Sequence, residues 1–420
     1  MRLEPVWTGG CFGMKIVSGL FLQKTCARLL MLVAFAAPAF AQQRIVVIGD
    51  VHGAFPEFVS ILQHMGLTDA DRRWTGKSTI LVQTGDVMDR GPEARKALDF
   101  LMELESQAAK QNGKVIPLLG NHEVMNMIGD LRYVTAADYA SFANAQSDAV
   151  REKAYQGYRE FLRAHPMKRV PDDEAAHQAW AAQHPLGYFE QRDAYGPQGQ
   201  YGRWLRQHDA VAQVGDILFM HGGLDPELRF RDIEQLNERI RSELQNFDAL
   251  WESLSQKRVI WRYMTWEEGV QQAQKVLNES ESGQKQLSGA AEDIRKFLGF
   301  RDWLLISQDS PLWYRGLALG PEEKLEKSLD KMLRRLNVHY IVAAHTVRPK
   351  FNVMTRFNNR VFLIDTGMLH SYYGGRASAL EIQSGRFTAY YADSAEPERL
   401  VGPGAVTAAT PDHPKSGGDH

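Results

Sequence analysis

Cysteine is nearly absent from this chain: its 420 residues hold two, Cys11 and Cys26. Both fall within the first 41 residues, so a chain starting at Gln42 would have none. A disulfide framework, a thiolate nucleophile and a cysteine-ligated metal are excluded from that part. Freedom from stray thiols suits an oxidising compartment. Long hydrophobic runs are also missing. The stretch Leu29–Ala37 is nine residues, well short of the roughly 20 that span a bilayer, so no stable membrane anchor is expected. Nor is one sign of charge in excess: 49 Lys and Arg face 51 Asp and Glu, for a net −2. Nothing basic points to nucleic acid as a partner. What remains, 44% hydrophobic and 24% charged residues, is the composition of a soluble globular protein with one large domain or two small ones.

The first 41 residues read as a signal peptide. Lys24 and Arg28 precede the apolar stretch, and Ala39, Phe40 and Ala41 close it in an A-x-A arrangement. Cleavage is expected after Ala41, with export across the inner membrane to the periplasm. Met14 is an alternative start. The segment carries four basic residues and one acidic residue, so its removal takes the net charge from −2 to −5.

Beyond it, strand and helix patterns alternate. Apolar runs at 44–49, 78–85 and 114–120 read as buried strands, and 56–66 and 92–111 as amphipathic helices. That order implies crossover connections and a sheet with helices on its faces. Helical stretches follow at about 130–205 and 229–300, separated by a strand at 210–223. Strands resume at 338–346, 360–367 and 379–392, the last with a Ser-Gly turn suited to a hairpin. The fold class is thus α/β, an α+β sandwich of central sheets with helical inserts, over residues 42–396. From 397 to 420, Pro, Gly, Ala, Thr and Ser dominate, and a disordered tail is expected.

The polar residues then fall into a pattern. Five apolar strands each run into a loop that opens on Asp, Asn or His: "GDVHG" at 49–53, "GDVMDRG" at 85–91, "GNHE" at 120–123, "HGG" at 221–223 and "AHT" at 344–346. Ligands bind outside the carboxyl ends of strands in such sheets. Asp50, His52, Asp86, Asn121, His221 and His345 form an N/O donor set that suits Mn, Fe or Zn. They are numerous enough for two ions, a centre suited to phosphoryl chemistry.

The motifs "GDVHG", "GDVMDRG" and "GNHE", in this order and spacing, resemble the phosphoprotein phosphatase family of binuclear metallophosphoesterases. "HGG" and "AHT" match its two downstream histidines. "SPLWYRG" (310–316), "IDTGM" and the helical inserts resemble its bacterial, Shewanella-like branch. The resemblance implies two divalent cations, manganese foremost in vitro. Asp50, His52 and Asp86 would hold the first, and Asn121, His221 and His345 would complete the second, with Asp86 bridging. It further implies that a metal-bound hydroxide attacks phosphorus while His122, oriented by Asp89, protonates the leaving group. Arg90 and Arg315 would grip the phosphate, a task suited to a planar guanidinium. The expected substrate is a phosphorylated protein or a small phosphomonoester. In place of the "SAPNYC" loop of eukaryotic Ser/Thr members stands "IDTGMLHSYYGG", and the branch is associated with phosphotyrosine.

Two other functions compete. A diadenosine tetraphosphate hydrolase resembles the same family, but its substrate is cytosolic and the leader argues against it. A silent metal- or phosphate-binding module would have lost a ligand or the acid, and none is lost. "HEVMN" lacks the second histidine of a zinc-protease helix, since Asn126 stands there. His339 is expected to pack, and the aromatic residues of the inserts to form core.

Overall fold

The structure, a computed structural model, describes residues 43–164, 174–282 and 289–401. The expected leader, and the tail from 402 onward, lie outside the described residues.

The described strands are β1 (Ile45–Ile48), β2 (Ile80–Gln83), β3 (Lys114–Pro117), β4 (Val211–Val214), β5 (Ile217–Met220), β6 (Tyr340–Ala343), β7 (Met354–Arg356), β8 (Val361–Leu363), β9 (Ser378–Gln383), β10 (Arg386–Tyr391) and β11 (Glu398–Val401). They form two sheets, ordered β11-β10-β9-β1-β2-β3 and β4-β5-β6-β8-β7. β1, β2 and β3 run parallel, as do β5, β6 and β8. Helices α1 (Phe55–His64) and α2 (Ala94–Ala109) make the crossovers of the first sheet. Helix α3 (Asn121–Ile128) opens at the end of β3.

The apolar runs divide by parity, as a pleat requires. Ile45, Val47, Ile80 and Val82 face Ile217, Phe219, Val342 and Phe362 in a core between the sheets. Their neighbours Val46, Ile48, Leu81, Leu218, Ile341 and Leu363 face the helices. Both faces are buried, which is why these strands are continuously apolar rather than alternating. Each such side chain contributes about 1.5–3 kcal/mol by leaving water. The expected sandwich is what forms.

The β9–β10 hairpin turns at Ser384 and Gly385, both at positive φ, as a tight hairpin requires. The single strand expected over 210–223 is instead the β4–β5 hairpin, because Gly215, at φ 61°, reverses the chain within it. Residues 398–401, expected within the tail, instead form β11 and pair with β10. His339 does not pack: it is exposed, and its Nδ1 lies 2.7 Å from Asp216. The two inserts are helical, and Tyr155, Phe161, Trp180, Tyr188, Phe189 and Trp261 form a buried aromatic cluster that joins them. Among the described residues no helix is long and apolar enough to cross a membrane.

Candidate metal centre

Six parallel strands, three from each sheet, end on the same polar site. Asp50 follows β1, Asp86 follows β2, Asn121 follows β3, His221 follows β5 and His345 follows β6. The sixth, Asp365 after β8, was not among the expected site residues. The signal was available: "LIDTG" has the same apolar strand, acid and glycine as the other loops.

The loops are stitched to one another before any ligand is considered. Val51 N and His52 N both donate to Asp86 O at 2.9 Å. The buried Gln83 side chain donates to Gly49 O at 3.2 Å and to Gly85 O at 2.7 Å. Glu123 Oε2 accepts from Asp86 N at 2.7 Å and Gly120 N at 2.8 Å, and its Oε1 accepts from Val87 N at 2.9 Å. Glu123 therefore binds the loop after β2 to the start of α3, another role that sequence reasoning missed. Burial, and then Asp86, pushes its carboxyl above the usual range. The turns are tight enough to force unusual backbone. His52, Asp86, Asp89, Arg90 and His345 all have positive φ, which costs a non-glycine residue free energy and clusters at functional sites. At Gly85 a Cβ would lie 2.3 Å from Gly120 N, and at Gly91 one would lie 2.1 Å from His52 O.

The side chains converge on Asp86. Its Oδ2 lies 3.2 Å from His221 Nε2, 3.6 Å from His52 Nε2 and 3.8 Å from His122 Nε2. Asp50 Oδ2 is 3.7 Å from His52 Nε2. His221 Nε2 is 2.9 Å from both Asn121 Oδ1 and His345 Nδ1. All are buried. His52 Nδ1 faces Met88 O at 2.9 Å, and His221 Nδ1 faces Thr84 O at 3.0 Å. A carbonyl only accepts, so each Nδ1 carries a hydrogen, which leaves each Nε2 as the nitrogen available to a cation. His221 Nε2, His345 Nδ1 and Asn121 Oδ1 thus converge on one point. Two donors about 2.1 Å from a shared ion, at angles of 90–120°, lie roughly 3.0–3.6 Å apart. The spacings, 2.9–3.8 Å, bracket that range, and two triads, His52–Asp86–His122 and Asp86–His221–His345, could each hold a cation.

The charge states are divided. Burial holds His52 and His345 well below the ordinary imidazole range, helped at His345 by His221 and Arg315. Burial also acts on Asp86, but His221 and His122 outweigh it and keep the carboxylate well below its usual range. Burial, Asp365 and Asp86 push Asp50 well up. His122 goes the other way from its neighbouring imidazoles: burial disfavours its charge, yet Asp86 and Asp89 prevail and raise it. Its Nδ1 lies 2.7 Å from Asp89 Oδ2.

Both arginines reach the site. Arg90 places an N–H 2.5 Å from His52 Nε2 and another contact on the Tyr373 hydroxyl. Its guanidinium lies 5.1–5.5 Å from the ring centres of Tyr133, Tyr372 and Tyr373. Arg315 donates to His345 O at 2.7 Å and Thr346 Oγ1 at 3.0 Å.

The calcineurin-like phosphoesterase family model matches residues 43–349. The chain belongs to that family. It is 34% identical to Shewanella-like protein phosphatase 2 of Arabidopsis thaliana over 55% of this chain and 59% of that one. It is 25% identical to Shewanella-like protein phosphatase 1 of Plasmodium berghei over 79% of this chain and 69% of that one. The crystal structure of a cold-active protein-tyrosine phosphatase from a psychrophilic Shewanella shares the fold, with TM-score 0.54 and 24% identity over 87% of this chain and 85% of that one. The chain is therefore a metal-dependent phosphatase of the calcineurin-like family, similar to the Shewanella-like protein phosphatases.

Every residue expected at the site is brought to it. What the sequence reading omitted surrounds them: Asp365, Glu123, Asn126 and the tyrosines beside Arg90.

Proposed function

We propose that the phosphatase hydrolyses phosphomonoesters of aromatic alcohols, phosphotyrosine in proteins above all, at a centre of two divalent cations, manganese in vitro. Asp50, His52 and Asp86 would hold one cation, and Asp86, Asn121, His221 and His345 the other. The observation that carries this reading is the position of Asp86 Oδ2, within 3.2–3.8 Å of three buried imidazole nitrogens contributed by both sheets. When bound, the cations supply a nucleophile at neutral pH and neutralise phosphoryl charge.

The chain's own residues do the rest. Arg90 and Arg315 bracket the centre and offer planar N–H donors to phosphoryl oxygens. His122 has its Nδ1 committed to Asp89, so its Nε2–H faces the reacting group. It holds its proton more firmly than a free imidazole, and passes it to the departing oxygen. This distinguishes it from His52 and His345, which are neutral donors of lone pairs.

The aromatic preference is supported by the rim. Tyr133 and Tyr372 are 37% and 57% exposed, and both lie against Arg90. A phosphate on Arg90 brings the ester's own ring to these faces, where aromatic pairs contribute about 0.5–1.5 kcal/mol beyond burial. The test compares kcat/KM of the manganese-loaded enzyme on two peptides that differ only in carrying phosphotyrosine or phosphoserine. Equal values would defeat the preference. The leader's basic front and A-x-A end support export to the periplasm. N-terminal sequencing of the processed protein should start at Gln42, and an intact leader on a cytosolic protein would refute export.

A further inference from the structure

The helical insert reaches the proposed acid through one buried chain of hydrogen bonds. Gln191 lies on the insert helix Tyr188–Tyr195. Its Nε2 donates to Asn126 Oδ1 at 2.8 Å. Asn126, on α3, donates its Nδ2 to Asp89 Oδ1 at 2.9 Å and to His122 O at 3.0 Å. Asp89 Oδ2 meets His122 Nδ1 at 2.7 Å. Gln191, Asn126, Asp89 and His122 are each no more than 2% exposed.

The direction of the chain follows from donor and acceptor chemistry. A carboxylate only accepts, and so does the His122 carbonyl, so both hydrogens of the Asn126 amide are spent on them. Its oxygen must then face away and needs a donor, and Gln191 is the one supplied. Turning the Asn126 amide over would set its oxygen against Asp89. The Gln191 oxygen itself has no partner, a cost that an apolar side chain would avoid. Its helix is braced on the second insert: Tyr188 donates to Tyr263 O at 3.2 Å, and Asp193 accepts from Arg262 at 2.8 Å and from Tyr263 at 3.1 Å.

We propose that Gln191 is a positioning residue for proton donation, the point at which the insert locks Asn126, and through it Asp89, so that His122 is held on the leaving oxygen. The proposal rests on the reading of His122 as the acid. It gives the insert a catalytic use in addition to its aromatic core.

The test is a double-mutant cycle on the full-length processed enzyme loaded with manganese. Gln191→Met is made alone and together with His122→Asn. Each protein is assayed on a phosphoserine peptide and on 4-nitrophenyl phosphate, with melting temperature and metal content measured. Gln191→Met should lower kcat about ten-fold on phosphoserine, whose alkoxide needs a proton, and no more than about two-fold on the nitrophenyl ester. KM and metal content should stay unchanged. In the His122→Asn background the same change should cost nothing further. Gln191→Glu, which keeps the size but replaces the donor with an acceptor, should show the same graded loss and stands in if Gln191→Met folds poorly. Equal losses on both substrates, or a loss that persists without His122, would overturn the proposal while leaving the acid intact. An ungraded loss in His122→Asn alone would overturn both.

Discussion

His122 Nδ1 lies 2.7 Å from Asp89 Oδ2, and both groups are buried. The pair occupies Nδ1 and leaves Nε2 as the nitrogen of His122 that faces Asp86, 3.8 Å away. A proton matters most to a leaving oxygen that is a strong base, and a tyrosine phenol has pKa about 10, far below a serine hydroxyl. His122→Asn should therefore hurt alkyl phosphates most, phosphotyrosine less and nitrophenyl phosphate least, across a range of roughly 10²–10⁴-fold. Asp89→Asn should follow the same order with smaller losses. Comparison of kcat/KM on the three substrates, with metal content unchanged, checks this. Equal losses would make His122 a ligand or a positioning group.

Tyr133 and Tyr372 should read the substrate's ring. Replacing either with Ala should raise KM for phosphotyrosine peptides about three- to ten-fold and leave the phosphoserine values within about two-fold. The steady-state constants for the two peptides decide it. A matching rise on phosphoserine would mean that the tyrosines support Arg90 and not the ring.

Outside the expected ligand set, His208 sets an acid limit on stability. Burial pushes its imidazole from 6.5 down to about 4, and its Nε2 has no partner. Above pH 6.5 the ring is neutral whether folded or not. As pH falls from 6.5 towards 4, the unfolded chain takes up a proton that the folded chain refuses, so stability is lost in that window. His208→Gln should remove up to about 3 kcal/mol of that acid sensitivity. Denaturant melts at pH 4 and pH 7 measure the difference, and an unchanged pH dependence would rule out His208 as its source.

The sequence was most legible where an apolar run meets a polar loop. The runs of β1, β2, β5 and β6 are apolar over three or four residues with both faces buried, and Asp50, Asp86, His221 and His345 stand just beyond them, with Asn121 just beyond the shorter apolar run of β3. Asp365 was equally accessible by that logic, since it ends the apolar run 361–364. Gln191 was not legible. It is 65 residues from Asn126, and helical spacing does not reveal which neighbour a helix face meets. The β4–β5 hairpin was hidden for a local reason: a Gly-Asp turn between two short apolar runs reads as one strand with a polar interruption. β11 is a four-residue edge strand held by its pairing with β10, and its own composition carries little strand signal.

The central claim is that two cations share Asp86, and the amount of metal bound per chain tests it most directly. Metal-free enzyme titrated calorimetrically with Mn²⁺ should bind two ions, and phosphatase activity should return as they bind. Asp86→Asn should bind at most one, weakly, with activity down by on the order of 100-fold or more. Full activity in strong chelator with no metal bound, or two tight ions in Asp86→Asn, would contradict the account.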